Sequence, residues 1–219
     1  MLEFISELAI VGIDLYILAR DVKMKTIVIA TRNKNKITEI KAIAGNLDFN
    51  FRCVSDFPKI GEIEEDGKTL KDNAIKKARI TALETGFWAL ADDTGLEVDY
   101  LNGAPGVFSA RYAGEACSYN DNNVKLLSVL EGVDLGLRTA AFKCVIALSS
   151  PKGDAITTVE GVLLGAITQT FRGKKGFGYD PIFMVKGTAK TMAELSIEEK
   201  NKLSHRGKAI RKIIPYLPR

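Results

Sequence analysis

Histidine occurs once in 219 residues and cysteine three times, and each scarcity removes a class of chemistry. The one histidine, His205, follows Ser204, but no Gly-x-Ser-x-Gly elbow accompanies the pair. A serine-hydrolase triad therefore has no scaffold, and Ser204 reads instead as an N-cap. Cys53, Cys117 and Cys144 are odd in number, far apart and without a C-x-x-C pattern. That argues against a disulfide framework and a zinc knuckle and suits the cytoplasm. No uncharged run reaches the roughly 20 residues of a membrane-spanning helix, because Glu3, Glu7 and Asp14 interrupt the apolar first 23 residues. A secretory leader would begin with basic residues, and the first charge here is Glu3. The glycines of a Walker loop or a dinucleotide fingerprint are missing too. Repeats, low-complexity tracts and long linkers are likewise absent.

What is present is the make-up of an ordinary globular protein, 46% apolar and 26% charged, which argues against disordered and fibrous classes. Basic residues outnumber acidic ones 31 to 27. An excess this small suits a phosphate-bearing partner without requiring a polynucleotide. The length fits one domain, divisible into two lobes. Residues 1–23 form an N-terminal extension, either an extra helix or a stretch upstream of a natural start at Met24, and 24–219 form the body.

Strand and helix patterns alternate through the first half: a strand over Lys25–Thr31, a helix from Asn35 to a Gly45 cap, a strand over Phe49–Val54, and a helix from Thr69 to a Gly86 cap. A buried strand over Trp88–Asp92 then places the doublet Asp92-Asp93 at its end. Like charges there need a cation or a polar cleft. Two β-rich runs, Thr139–Ser149 and Ala155–Ile167, flank Pro151-Lys152-Gly153-Asp154 and read as a hairpin. An antiparallel hairpin added to βα units predicts an α/β fold with a long, twisted mixed sheet and helices grouped in two lobes. A capping box at Ser196-Ile197-Glu198-Glu199 and a last helix over His205–Ile214 close the chain.

Several segments carry chemistry. Thr31-Arg32-Asn33-Lys34-Asn35-Lys36 spans a strand-to-helix junction, where unpaired N–H groups and the helix dipole attract anions; plain capping by Asn33 or Asn35 is the alternative. The acidic loop Glu62, Glu64, Glu65 and Asp66 reads alone as solvated, but with Asp92-Asp93 it supplies the hard oxygens that Mg²⁺ shares with substrate phosphates. Gly176-Phe177-Gly178-Tyr179-Asp180-Pro181 combines glycines that admit close approach, flat aromatic faces and a carboxylate acceptor. Arg206, beside His205, offers a rigid donor fork for a carbonyl or a phosphate. Lys71, Lys76, Lys77 and Arg79 read as a solvated helix face, since no aromatics interleave them for nucleic-acid binding.

Together these segments resemble the Ham1-type inosine triphosphate pyrophosphatase family. The ordered motifs are Thr31-x-Asn33-x-x-Lys36, Glu64-Glu65-Asp66-Gly67 with Asn73-Ala74, Ala91-Asp92-Asp93-Thr94-Gly95-Leu96-Glu97-Val98, Gly103-Ala104-Pro105-Gly106-Val107-Phe108-Ser109-Ala110-Arg111-Tyr112, Phe177-Gly178-Tyr179-Asp180-Pro181 and Ser204-His205-Arg206. Thr94 departs from the family's more usual serine but keeps the hydroxyl. The resemblance implies Mg²⁺-dependent hydrolysis of ITP, dITP or XTP to the monophosphate and pyrophosphate, in a two-lobed cytoplasmic homodimer with the nucleotide in a central cleft and no membrane or nucleic-acid partner. By position it implies that Thr31, Arg32, Asn33, Lys34, Asn35 and Lys36, with Thr94, hold the triphosphate. One glutamate of the Glu64-Glu65 pair, Glu64 in preference to Glu65, would bind the metal with Asp93, and Asp93 would also accept the proton of the attacking water. Phe177 would stack on the purine beside Gly178 and Tyr179, with Asp180, Lys200, His205 and Arg206 along its edge.

Overall fold

The computed structural model describes residues 24–45 and 47–218, so the extension expected at 1–23 lies outside the described residues. Two βα units open the fold: β1 (Lys25–Ile29), α1 (Lys34–Ala44), β2 (Phe49–Cys53), α2 (Leu70–Thr85) and then β3 (Trp88–Val98). Helix α1 begins where the Asn33 side chain accepts hydrogen bonds from the backbone of Asn35 and Lys36. Helix α2 starts with a reciprocal Thr69–Asp72 capping box and stops at Gly86, whose φ of 69° only glycine adopts at no cost. Gly45 also ends its helix, but at φ −67°, so the left-handed turn its glycine suggests does not form. The chain continues through β4 (Pro105–Gly106), α3 (Tyr119–Val129), the hairpin β5 (Thr139–Ser149) and β6 (Ala155–Ile167), β7 (Phe183–Val185), α4 (Ile197–Leu203) and α5 (His205–Ile213). Ser118, Ser196 and Ser204 cap the last three helices.

The strands form one mixed sheet in the order β2-β1-β3-β5-β6-β7, with β4 added to β3. Only β1 pairs in parallel, with β2 and β3. Strand β3 does not end at Asp92 as the sequence suggests. It runs on to Val98 because β5 pairs with it without interruption from Ala89 to Val98, and the acid pair inside the ladder is compensated by side chains from elsewhere in the chain.

Two lobes share this sheet. In the first, α1 and α5 cover one face over Ile27, Ile29, Leu90 and Ile146, while α2 covers the other. The α2 stripe is Ala74, Ala78 and Ala82, small enough for the helix to lie close to the strands. Gly161 does the same for α5: a Cβ there would collide with the His205 carbonyl and come within 2.6 Å of the Ala209 nitrogen. The second lobe packs α3 and the far end of the sheet around Leu96, Leu126, Phe142 and Phe183. Its buried Arg138 donates to the carbonyls of Leu130, Val133 and Thr168. No helix among the described residues is long and apolar enough to cross a membrane.

Candidate active site

Strand β3 is paired with β5 throughout, but among the described residues its other edge is covered only at Trp88–Leu90 by β1 and at Leu96–Glu97 by β4. Residues 91–95 therefore keep an open edge where β1 turns away into α1. A cleft opens there, lined by residues of β3, α1, α3 and the C-terminal helices. Crevices beyond the C-terminal ends of parallel strands, where the chain diverges, are where open α/β sheets bind ligands.

The strand pleat separates the acid doublet. Side chains alternate between faces, so Asp92 follows Leu90 toward α1 and α5, whereas Asp93 follows Ala91 toward α2. Asp92 Oδ2 meets Lys36 Nζ at 3.0 Å and Arg206 Nε at 3.2 Å, and accepts from the Thr94 hydroxyl at 3.2 Å. Burial opposes the charge on Asp92, but Lys36, Arg206 and Lys77 outweigh it and hold the carboxyl well below the usual range. Its Oδ1 is buried with no partner among the described residues. Arg206 donates onward from Nη1 to Glu39 and from Nη2 to Thr94. Glu39 also meets Lys200 at 2.9 Å, so this one carboxylate from α1 steadies two cations of the C-terminal helices.

On the other face, Lys77 spends its three ammonium donors on Glu65, on the Asp92 carbonyl at 2.7 Å and on Asp93 Oδ1 at 3.3 Å. Asn73, one helical turn earlier, donates to Asp93 Oδ2 at 3.2 Å and accepts from the Gly67 N–H at 2.7 Å. Burial raises the Asp93 carboxyl, with Glu65 adding to the rise and Lys77 opposing it. The result is a buried, oriented carboxylate with a heightened affinity for a proton, the character of a general base.

The far wall of the cleft is the turn before β7. Asp180 accepts from the Phe177 N–H at 2.8 Å and from Lys200 at 2.6 Å. Gly176, at φ 78°, leaves no room for a Cβ against that carboxylate. Burial raises Asp180 despite Lys200 beside it. Tyr179 is anchored by its hydroxyl to the Ser109 carbonyl at 2.9 Å. Above the Phe177 ring stand Lys200 Nζ at 4.8 Å and Arg206 Cζ at 5.6 Å. His205 stacks on Phe142 with centroids 4.6 Å apart, and burial plus the neighbouring Arg206 and Lys200 press its pKa well below 6.5.

Of the residues singled out from sequence, Asn33, Lys36, Asp93, Thr94, Phe177, Gly178, Tyr179, Asp180, Lys200, His205 and Arg206 line this one cleft. Thr31 and Arg32 line an adjoining pocket with Glu65 and Lys77. Asn35 faces a groove on the other side of Phe177, and Lys34 and Glu64 are exposed. The expectation of a solvated Lys77 is overturned: it is buried, because it lies one turn from Asn73 on the alanine side of α2. That shared face was the signal for it in the sequence. Glu39 and Tyr119 also went unnoticed, since nothing local marks their partners.

The open edge of a mixed α/β sheet brings together a helix N-terminus, a raised carboxylate beside a lysine and an aromatic ring, the form of an enzyme cleft. The chain belongs to the Ham1 family, whose model matches residues 27–216. It is similar to the dITP/XTP pyrophosphatase of Elusimicrobium minutum, with 54% identity over 85% of this chain and 96% of that one. Its likeness to the Geobacter sulfurreducens dITP/XTP pyrophosphatase is also 54%, over 85% and 94% of the two chains. Among solved structures, a HAM1 protein from Coxiella burnetii superposes with a TM-score of 0.81 at 43% identity, covering 89% of this chain and 98% of that one.

Proposed function

We propose that the protein hydrolyses triphosphates of deaminated purines, ITP, dITP and XTP, to the monophosphate and pyrophosphate by attack of water at the α-phosphorus. The observation that carries this reading is the convergence, in one cleft, of Lys36 at the start of α1, the Asp93 carboxylate and the Phe177 platform. The two curated relatives named dITP/XTP pyrophosphatase support it.

In this reading Thr31 to Lys36 receive the triphosphate through lysine charge and the N–H groups at the start of α1, with the Thr94 hydroxyl nearby. Phe177 stacks on the purine beside Gly178 and Tyr179, and Asp180, Lys200, His205 and Arg206 line its edge. Arg206 has five N–H donors, of which Asp92, Glu39 and Thr94 engage three, leaving two for a ligand. A 6-oxo group satisfies such donors, whereas the 6-amino group of adenine would face them unpaired.

A hard divalent cation belongs to this reading. Glu64 and Asp93 would supply the carboxylate oxygens, since Mg²⁺ commonly takes one or two carboxylates and completes its sphere with waters and substrate oxygens. Glu65 is committed to Lys77, whereas Glu64 forms no ion pair among the described residues. Bound there, Mg²⁺ would polarise phosphoryl oxygens and offset their charge. Asp93 then orients the water and takes its proton, while Lys77 and Asn73 hold the carboxylate in place. The family reading also carries a cytoplasmic homodimer, for which exposed Phe108, Leu135 and Leu137 offer apolar surface; sedimentation equilibrium tests the assembly.

The decisive assay is pyrophosphate release from ITP, dITP, XTP, GTP and ATP, with and without Mg²⁺. We expect metal-dependent turnover of the deaminated purines, at least about 10²-fold above ATP. Asp93→Asn should lower it by about 10²-fold or more. Equal turnover of ATP and ITP would end the specificity claim, and a fully active Asp93→Asn would remove that residue from proton transfer.

A further inference from the structure

Tyr119 is the first residue of α3, and it spans the mouth of the cleft. Its hydroxyl accepts from Asn33 Nδ2 at 3.0 Å, and its ring lies 5.9 Å from that of Phe177, tilted by 46°. The two contacts belong to opposite halves of the site. Asn33 caps α1, the helix that faces the triphosphate, through its other amide atom, which accepts from the N–H groups of Asn35 and Lys36. Phe177 is the aromatic platform.

The helix behind Tyr119 is tied by hydrogen bonds both to the Phe177 turn and to the segment 110–113. Asn123, buried, donates to the Gly178 carbonyl at 3.0 Å. Asn122, also buried, accepts from the Ala113 N–H at 2.7 Å and donates to the Ala110 carbonyl at 3.1 Å. A Ser118–Asp121 capping box fixes the helix start. Yet Tyr119 itself keeps 44% of its surface exposed while lining the cleft. Core packing does not explain an aromatic ring placed this way. A flat ring on a firm mount, wet on one side and beside a stacking platform, suits contact with a nucleoside.

We propose that Tyr119 is a nucleoside-positioning residue. Its ring contacts the base or sugar beside Phe177, and its hydroxyl links the seated nucleoside to Asn33, the cap of the phosphate-facing helix. This rests on the triphosphate reading above and extends it to a residue on a separate element. The linkage has a direct consequence: base binding steadies the same asparagine that orients the phosphate-binding N–H groups.

Steady-state kinetics on Tyr119→Ala and Tyr119→Phe, with inhibition by inorganic pyrophosphate measured through monophosphate formation, separates the roles. Tyr119→Ala should raise KM for ITP about tenfold with kcat changed less than about threefold, the effect of losing one aromatic contact to a base. Inhibition by pyrophosphate, which lacks a nucleoside, should shift less than about twofold in this variant. Tyr119→Phe keeps the ring and should fall between the native protein and Tyr119→Ala. An unchanged KM in Tyr119→Ala overturns the proposal. So does an equal weakening of ITP and pyrophosphate, which would make Tyr119 a prop for Asn33 alone. In either case a native protein that turns over ITP leaves the function standing, whereas a native protein that releases no pyrophosphate from ITP ends both.

Discussion

His205 is the chain's only histidine, so its titration can be isolated. Burial first, then Arg206 and Lys200, keep it neutral in the fold. In the unfolded chain it takes up a proton near pH 6.5. A folded pKa below the unfolded one means that stability is full above pH 6.5 and is lost as the pH falls, because only the unfolded state gains the proton. For one such proton the loss between pH 7.5 and 5.5 is about 1.4 kcal/mol. Urea midpoints across that range should fall for the native protein and flatten for His205→Gln; an equal slope in both would assign the acid sensitivity to other groups. At this scale the sequence was legible wherever chemistry was written locally. Asn33, Lys36, Asp93 and Phe177 lie in short motifs, and the cleft gathers them. Lys77 was misread although it shares a face of α2 with Asn73, whereas Glu39 went unseen because its partner Arg206 is 167 residues away, a distance over which no local pattern carries information.

Helix α5 delivers His205 and Arg206, and its seat on β6 depends on a missing side chain. Gly161→Ala would push a methyl into the His205 carbonyl and the Ala209 nitrogen, neither of which can yield without moving the helix. Overpacking of this kind costs about 1–3 kcal/mol. We expect a lowered thermal midpoint together with a raised KM for ITP, since the shifted helix carries Arg206. A melt unchanged by the substitution would mean that α5 is not held to this distance. Helix starts were readable, because Ser196, Ser204 and Thr69 are written beside the turns they cap. The length of β3 was not: an acid doublet reads as a strand end until Lys36, Arg206 and Lys77 converge on it from α1, α5 and α2.

At the scale of the whole molecule, Arg138 sits in the interior of the second lobe, away from the residues that line the cleft. It is 3% exposed, forms no ion pair among the described residues and ties the carbonyls of Leu130, Val133 and Thr168 together. Arg138→Met should strand those acceptors and cost about 3 kcal/mol in denaturant unfolding. The KM for ITP should stay within about twofold at temperatures where the variant is folded; a larger change would show that the second lobe's interior shapes the site. The mixed-sheet architecture was legible from the alternation of βα units followed by one long hairpin. The location of the cleft was not, because it depends on where β1 stops covering β3. That uncovered segment has a consequence for how the gene can change. Consecutive strand residues face opposite sides, so inserting or deleting a single residue between Trp88 and Leu90, if taken up as a one-residue slip along β5, would exchange Asp92 and Asp93 between α1 and α2 and break their register with Ile146 and Val145. The hydrophobic residues around them would trade sides as well. The register of this strand is therefore inherited as a unit, and a frame-preserving indel of one codon there would dismantle the site without removing any of its residues.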